Sequence, residues 1–313
     1  MSELGDYKLR TPVALFVFNR PDTTRLVFES IRLARPPELF IIADGPRPAC
    51  PDDQERCKSV RNIVDEVDWP CKVLKNFADT NLGCRKRVST GLDWVFAQVP
   101  ETIILEDDCL PDQTFFRFCN ELLELYREDE RVMTICGTNT LFSDKVGEFS
   151  YYFSDFSHVW GWATWRSTWN HYDLEMRKWP TLRDNRWLSK KFPDNSIWRY
   201  WERIFEFTYN GRLKTWDYQL AFACMVNNGL SVVPRTNLIS NLGFGPDATI
   251  TKNHHKLANM PIKPLEFPLV HPPKVAVATD LDKITSNNIF FRPLLSLRLV
   301  NLLSKIRRWK LGS

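Results

Sequence analysis

The chain has 313 residues, 43% of them hydrophobic and 26% charged, which is the composition of a globular protein with a buried core rather than of a disordered chain. The formal net charge of +4 is too small to indicate a nucleic-acid-binding protein by itself. The N-terminal residues lack the apolar core of a signal peptide, and no later run approaches the roughly 20 apolar residues of a membrane span. We therefore expect neither a secretory leader nor a transmembrane helix.

Strand and helix signals alternate through the first third of the chain. Apolar runs rich in β-forming residues predict buried strands at 13–18, 39–43, 72–74 and 102–105. Amphipathic patterns between them predict helices at about 22–35, 52–67 and 86–97. This alternation is typical of an α/β protein with an open, mainly parallel, Rossmann-like sheet flanked by helices.

The remainder predicts one large domain and a distinct tail. It holds helix signals near 112–128 and 194–210, a short strand at 230–233, and proline-containing residues 253–285 that we interpret as an ordered wrap or linker. Residues 293–310 predict a basic amphipathic helix, either bound to an anionic membrane surface or docked on the domain. We expect a domain at 10–285 and a tail at 286–313.

The cysteines and histidines do not form a recognisable framework. Eight Cys occur without a C-x-x-C pair, and the five His lack finger-like spacing from Cys pairs. We therefore expect reduced, mostly packed thiols in a cytoplasmic protein, and no zinc site.

Polar residues follow three of the predicted strands. They are Asn19-Arg20, Asp44-Gly45 and Glu106-Asp107-Asp108. Because ligands of open parallel sheets bind beyond the carboxyl ends of the strands, we expect these side chains along one edge. Clustered carboxylates are costly unless a positive group compensates them, and oxygen ligands suit Mg²⁺ or Mn²⁺. The alternative is a solvated acidic turn.

Several segments resemble GT-A-fold glycosyltransferases, closest to the N-acetylglucosaminyltransferase I group and its bacterial relatives. The acidic segment IILEDDCLPD at 103–112 resembles the EDD-type motif of that group. The other similar segments, in chain order, are VALFVFNRPD at 13–22, IIADGPR at 41–47, NLGCRKRVSTGLDW at 81–94, WGWATWR at 160–166 and NLISNLGFGPDAT at 237–249. The resemblance covers roughly residues 12–252.

The resemblance implies roles for the acidic residues and their neighbours. Asp108 would be a direct ligand of Mn²⁺ or Mg²⁺, and Glu106 and Asp107 would serve the ribose, the donor sugar or metal-bound water. Asp44 would hydrogen-bond the base or ribose, although an Asp-Gly turn is an equally good interpretation. Arg20 would line the nucleotide site.

Further implied roles concern the basic segment and the second half. Of Arg85, Lys86 and Arg87, at least one is expected to face the diphosphate, and the alternative is a solvated basic helix start. Asp217 would be the general base, and it could also cap the helix that follows.

The expected metal shell departs from the family pattern at one point. Bacterial relatives often carry His after the Ala-Thr pair, whereas Ile250 stands there in this chain. His254, His255 or water would then complete the shell, and an inactive member is also compatible with this departure.

The resemblance implies a metal-dependent enzyme that moves a sugar from a nucleoside-diphosphate donor, UDP first, to a saccharide or lipid-linked saccharide. Inversion is expected, and the setting would be surface-polysaccharide synthesis at the cytoplasmic face of a bacterial membrane. The alternatives are a sugar-nucleotide nucleotidyltransferase, which usually needs a glycine-rich loop that segment 18–22 lacks, and a catalytically silent carbohydrate-binding protein.

Overall fold

The computed structural model describes residues 7–142, 147–244 and 256–290. Its strands are β1 (Val13–Val17), β2 (Glu38–Ala43), β3 (Lys72–Phe77), β4 (Glu101–Glu106), β5 (Cys109–Pro111), β6 (Val132–Cys136), β7 (Tyr151–Ser154), β8 (Trp162–Trp165), β9 (Leu230–Pro234) and β10 (Ile239–Asn241). Its helices are α1 (Pro21–Ala34), α2 (Asp52–Val64), α3 (Cys84–Phe96), α4 (Gln113–Leu125), α5 (Arg166–Trp169), α6 (Trp179–Asp184), α7 (Trp187–Lys191), α8 (Asn195–Tyr209), α9 (Asp217–Val226) and α10 (Thr279–Thr285), followed by a π-helical turn at Ser286–Phe290.

Eight of these strands form one open sheet in the order β3-β2-β1-β4-β8-β6-β9-β7, and β5 pairs with β10 separately. The half that contains β3, β2, β1 and β4 is wholly parallel. Strand β8 then runs antiparallel between β4 and β6, and β6 pairs with β9 in parallel. The predicted open, mainly parallel α/β sheet flanked by helices is confirmed.

Side chains alternate between the two faces of the central strand β1. Val13, Leu15 and Val17 belong to an apolar core that also receives α1, α2 and α4. Ala14 and Phe16 point the other way, into a core shared with α3 and α9. Because both faces are covered, all five residues of β1 are buried, which accounts for the uninterrupted apolar run in the sequence.

Local signals set the helix bounds closely. Pro21 occupies the first turn of α1, and Arg35 ends that helix in the left-handed region before two prolines. Asp112 and Asp194 cap α4 and α8, each accepting a bond from the backbone N–H two residues on, at 2.9 and 2.8 Å.

The second half of the described chain contains several elements that the sequence analysis did not predict. Residues 160–169, which hold four tryptophans, contribute β8, a strand buried inside the sheet. Residues 279–285, expected within a wrap or linker, form α10. Most of the tryptophans at 160–169 are core residues, since Trp162, Trp165 and Trp169 are buried.

The other predictions fall partly on described residues. All eight Cys are unpaired and five are buried, as expected. Across the described ranges, none of the helices combines the length and apolar character that a membrane crossing requires. Ile250, His254, His255 and the tail 293–310 lie outside the described residues, so the predictions about them, including the separate tail, stay predictions.

Candidate active site at the sheet edge

Backbone register brings the three polar strand ends together. Phe16 of β1 pairs with Glu106 of β4, and Val17 pairs with Ala43 of β2. Beyond the strands, the Phe18 N–H donates to Oδ2 of Asp107 at 2.9 Å. The three segments therefore meet at one edge, as the strand-end rule predicts.

A pocket of about 380 Å³ opens at this edge of the sheet. Its lining contains five carboxylates and three guanidinium groups, namely Asp44, Glu106, Asp107, Asp108 and Asp217 with Arg20, Arg47 and Arg87. The volume lies near the lower end of the roughly 300–1,000 Å³ usual for small-molecule sites. Six of the residues predicted from the sequence thus line one cavity, namely Arg20, Asp44, Glu106, Asp107, Asp108 and Asp217, whereas Arg85 and Lys86 do not.

Arg20 compensates the acidic strand end. Its Nη1 donates to Oδ2 of Asp108 at 2.6 Å and lies 3.3 Å from Oδ1 of Asp107. Burial, reinforced by the neighbouring Asp108, raises the pKa of Asp107 to about 7. Burial and the three carboxylates Asp108, Asp107 and Asp217 also raise the pKa of Glu106 well above its ordinary value. The cluster is therefore short of positive charge even with Arg20 in place.

Asp44 is occupied by its own loop. Oδ1 accepts the backbone N–H groups of Gly45 at 2.9 Å and Leu82 at 2.8 Å. Oδ2 accepts the Asn81 side-chain amide at 3.0 Å and the Gly83 N–H at 3.1 Å. An ionised carboxylate offers about four acceptor sites, and all four are used here. This favours the turn interpretation of Asp44, with the carboxylate holding the segment that precedes α3.

Of the three basic residues at the start of α3, the helix turns Arg87 toward the pocket. Arg87 is 5% exposed, lines the cavity, and donates from Nη2 to the side-chain oxygen of Asn76 at 2.9 Å. Arg85 instead donates to the Leu174 carbonyl at 2.9 Å and pairs with Glu175. Lys86 is exposed and does not line the pocket. The structure thus does not bring Arg85 or Lys86 to the pocket, because the buried face of α3 passes through Arg87.

Asp217 reaches the pocket from the second half of the chain. It is the first residue of α9, and the N-cap position belongs to Trp216 rather than to Asp217. The Thr215 hydroxyl donates to Oδ1 of Asp217. Burial raises the pKa of this carboxyl, although the Thr215 bond partly offsets the shift. Asp217 is therefore an oriented carboxylate with increased basicity.

The β5–β10 ladder closes the pocket beside Asp108. The Gly243 N–H donates to Oδ1 of Asn241 at 2.8 Å, and both residues line the pocket. A Cβ atom at Gly243 would lie 1.9 Å from Oδ2 of Asp108, so a larger residue at this position would displace the carboxylate.

Sequence reasoning did not single out several of the lining residues. Arg47 pairs with Asp53 and lies over the Phe18 ring at 5.3 Å, and Trp160 packs edge-on against Phe244 at 5.6 Å. Arg47, Phe18, Trp160 and Phe244 each belong to a segment quoted for the family resemblance, whereas Asp53, the partner of Arg47, does not. The sequence therefore showed that these residues lie in segments similar to the family, but nothing in it distinguished them from their neighbours as site residues.

The donor chemistry fits a cation only in part. Within the described ranges, no three His, Cys, Asp or Glu side chains are grouped as a metal-ligand set. Asp107 and Asp108, the best-placed pair, already share Arg20. Mg²⁺ in proteins is often held by only one or two carboxylates together with substrate phosphates. The described carboxylates therefore supply some of the oxygen ligands that a divalent cation takes, but not a complete set.

No protein-family model matches the sequence, and no curated protein matches it. Among solved structures, the chain is similar to a UDP-glucose pyrophosphorylase complexed with UDP-glucose, with 10% identity over 52% of this chain and 78% of that one and a TM-score of 0.29. It is also similar to 4-diphosphocytidyl-2C-methyl-D-erythritol synthase from Anaerococcus prevotii, with 9% identity over 52% and 74% of the two chains and a TM-score of 0.33. Likenesses this distant give no argument about activity, and the resemblance to the N-acetylglucosaminyltransferase I group stays a prediction.

Proposed function

We propose that this chain is a glycosyltransferase that moves a sugar from a nucleoside-diphosphate donor, UDP first, to a hydroxyl of a saccharide or lipid-linked saccharide. One observation carries the proposal. Asp217 lies in the same pocket as the acidic strand end and three guanidinium groups, which supports a base and diphosphate-binding groups around one cavity.

The reaction is a single displacement with inversion. The acceptor oxygen attacks the anomeric carbon, and the bond from that carbon to the diphosphate oxygen breaks, so its electron pair leaves with the diphosphate. Asp217 takes the acceptor proton. Its pKa, raised by burial, brings its basicity closer to that required at neutral pH, and the Thr215 hydroxyl orients it.

The arginine side chains of the pocket are suitable hydrogen-bond donors for the leaving diphosphate. Arg87 and Arg47 line the cavity on the α3 and β2 sides, and Arg20 lies against the acidic end. A divalent cation held by Asp108 would add a charge that stabilises the leaving group.

The connection from β1 to α1 argues against the nucleotidyltransferase alternative. It consists of Phe18, Asn19 and Arg20 before Pro21, without a glycine whose backbone could cradle a triphosphate. A nucleotidyltransferase would release pyrophosphate from a nucleoside triphosphate and a sugar phosphate, whereas a glycosyltransferase would release a nucleoside diphosphate from a nucleotide sugar.

The test compares these products directly. Wild-type protein, Asp217→Asn and the exposed surface variant Asp184→Asn are incubated with UDP- or GDP-sugars, with and without Mn²⁺, and nucleoside diphosphate release is followed together with thermal shifts induced by UDP. We expect turnover by the wild type and Asp184→Asn, and its loss in Asp217→Asn with the UDP shift retained. Pyrophosphate release from UTP and a sugar phosphate, or no shift with any nucleotide, would contradict the proposal.

The setting follows from the family resemblance alone. We propose surface-polysaccharide synthesis at the cytoplasmic face of a bacterial membrane, with residues 293–310 as the peripheral anchor. Cosedimentation of the full chain with anionic vesicles, compared with a chain truncated after residue 290, tests the anchor, and equal binding by both would refute it.

A further inference from the structure

A second cavity of about 310 Å³ lies between the short helices α6 and α7 and the longer helix α8. It shares no lining residue with the pocket at the sheet edge. Three indole rings contribute to its wall, from Trp179, Trp187 and Trp198. Its size again reaches the roughly 300 Å³ at which small-molecule sites begin.

The indoles are held in fixed positions. Trp179 is fully buried, donates from Nε1 to Glu206 at 3.0 Å, and meets Phe222 edge-on at 6.0 Å. Trp187 packs edge-on against the same Phe222 at 6.1 Å. Trp198 donates from Nε1 to Asn195 at 2.9 Å. Trp187 and Trp198 are only half-buried, unlike the core tryptophans of β8. The Arg199 guanidinium lies over the Trp198 ring at 5.2 Å, so the open aromatic surface consists of Trp187 and the other face of Trp198.

Two charged side chains of the lining have no protein partner among the described residues. Glu202 lies one helical turn after Trp198 on α8, and Arg186 lies between α6 and α7. No hydrogen bond or ion pair within the described ranges involves either side chain, whereas the neighbouring Arg183 pairs with Glu206 and Asp184. Arg186 also has a φ of 52°, a left-handed conformation uncommon for non-glycine residues and recurrent at binding sites.

These features define the chemistry of a ligand. The half-open indoles offer flat apolar surface, which suits the C–H face of a pyranose ring. Arg186 supplies hydrogen-bond donors and Glu202 supplies acceptors, so both functions of a hydroxyl group can be satisfied. One unpaired cation and one unpaired anion leave no excess charge for a phosphate, which disfavours a nucleotide.

We infer that this cavity is a second saccharide-binding site, which takes a neutral pyranose residue against Trp187 and Trp198, with its hydroxyls on Arg186 and Glu202. The inference goes beyond the proposed transferase activity and does not depend on it, because the two cavities are built from different residues. If both hold, the second site anchors an acceptor chain away from the reacting end.

The test uses cellotetraose and chitotetraose as probes, with binding measured by calorimetry and by intrinsic tryptophan fluorescence. We compare the wild type with Trp187→Ala, Glu202→Gln and the matched control Trp94→Ala, which removes a half-buried tryptophan from α3. We expect the wild type and Trp94→Ala to bind at least one tetrasaccharide, and Trp187→Ala and Glu202→Gln to bind it at least tenfold more weakly.

Further readouts separate this inference from the proposed function. The UDP-induced thermal shift is expected to be unchanged in Glu202→Gln, and Asp108→Asn is expected to lose that shift while keeping tetrasaccharide binding. If Trp187→Ala does not fold, tetrasaccharide binding by Glu202→Gln alone tests the inference, since replacing Glu202 breaks no hydrogen bond or ion pair among the described residues. Absence of binding by the wild type at millimolar probe, or equal binding by wild type and Glu202→Gln, would overturn the inference.

Discussion

Replacing Arg20 with Met tests the charge balance of the acidic strand end. The substitution keeps the apolar stem but removes the bond to Asp108 at 2.6 Å and the contact with Asp107 at 3.3 Å. The three side chains are 20%, 13% and 7% exposed, so this is a largely buried group. Breaking a buried pair by removing one partner costs about 3–5 kcal/mol. Because the pocket admits water, we expect a loss of roughly 2–4 kcal/mol in the free energy of unfolding at pH 8.5.

The loss should shrink at acidic pH. The pKa of Asp107 is raised to about 7 from its ordinary 3.8, so the folded state holds this proton more tightly than the unfolded chain does. The contribution of this proton to the stability of the folded state is complete when the pH lies below the ordinary pKa of 3.8. It is lost as the pH rises through the folded-state pKa of about 7. Arg20 lowers the pKa of Asp107, so its removal raises that pKa further. Each unit by which the pKa of Asp107 rises adds about 1.4 kcal/mol to the loss in the free energy of unfolding at alkaline pH. It adds nothing at a pH where the Asp107 carboxyl is neutral.

Urea unfolding of the metal-free protein at pH 5 and pH 8.5 measures both quantities. The control is Arg25→Met, which removes an ion pair between Arg25 and Glu66 from an exposed face of α1, where the side chains are 40% and 50% exposed. Exposed pairs contribute about 0–1 kcal/mol, so this variant should lose little at either pH. The prediction is wrong if Arg20→Met loses the same free energy of unfolding at both pH values, or no more than Arg25→Met loses.

Three further outcomes are expected. Asp217→Asn should lower kcat by about 10²–10⁴-fold, and the fall of the wild-type kcat toward acidic pH should set in at a higher pH than an ordinary aspartate would give, because burial raises the pKa of Asp217; an unchanged kcat in Asp217→Asn would speak against a base. Gly243→Ala should weaken UDP binding in calorimetry at least tenfold, since its Cβ would lie 1.9 Å from Asp108, and an unchanged Kd would contradict this. Asp44→Ala should lower the free energy of unfolding in urea by roughly 2–4 kcal/mol, because four donors lose their acceptor; a loss below about 1 kcal/mol would count against it.

The parallel half of the sheet could be predicted from the sequence because each of its strands is a local signal. The run at 13–18 is apolar because β1 is covered on both faces, and Pro21 marks the start of the helix that follows. Strand β8 could not be found this way. Its four residues are Trp162, Ala163, Thr164 and Trp165, and their extended conformation depends on pairing with β4 and β6, which are distant in the chain.

The position of the candidate site could be predicted from the sequence, whereas the contacts of each side chain could not. The strand-end rule places Asp44 and Asp108 at one edge, but it does not reveal that Asp44 has no acceptor site left. That saturation comes from Asn81, Leu82 and Gly83, which the fold brings back from almost forty positions along the chain. Arg87 is a different case, because a local pattern predicts its orientation. It lies on the same face of α3 as Gly91, where an added Cβ atom would lie 2.6 Å from the Phe16 side chain of β1. Helical periodicity alone could therefore have selected Arg87 over Arg85.

The charge of the pocket limits what it can bind. Five carboxylates face three guanidinium groups there, and burial together with mutual repulsion already raises the pKa values of Glu106 and Asp107. A diphosphate would add negative charge to this cluster, so its binding requires protons or cations in addition to the arginines. The same carboxylates that disfavour a bare diphosphate provide oxygen ligands for a divalent cation that accompanies it. Charge balance thus links the two predicted properties of the site, since the diphosphate and the cation each make the binding of the other more favourable.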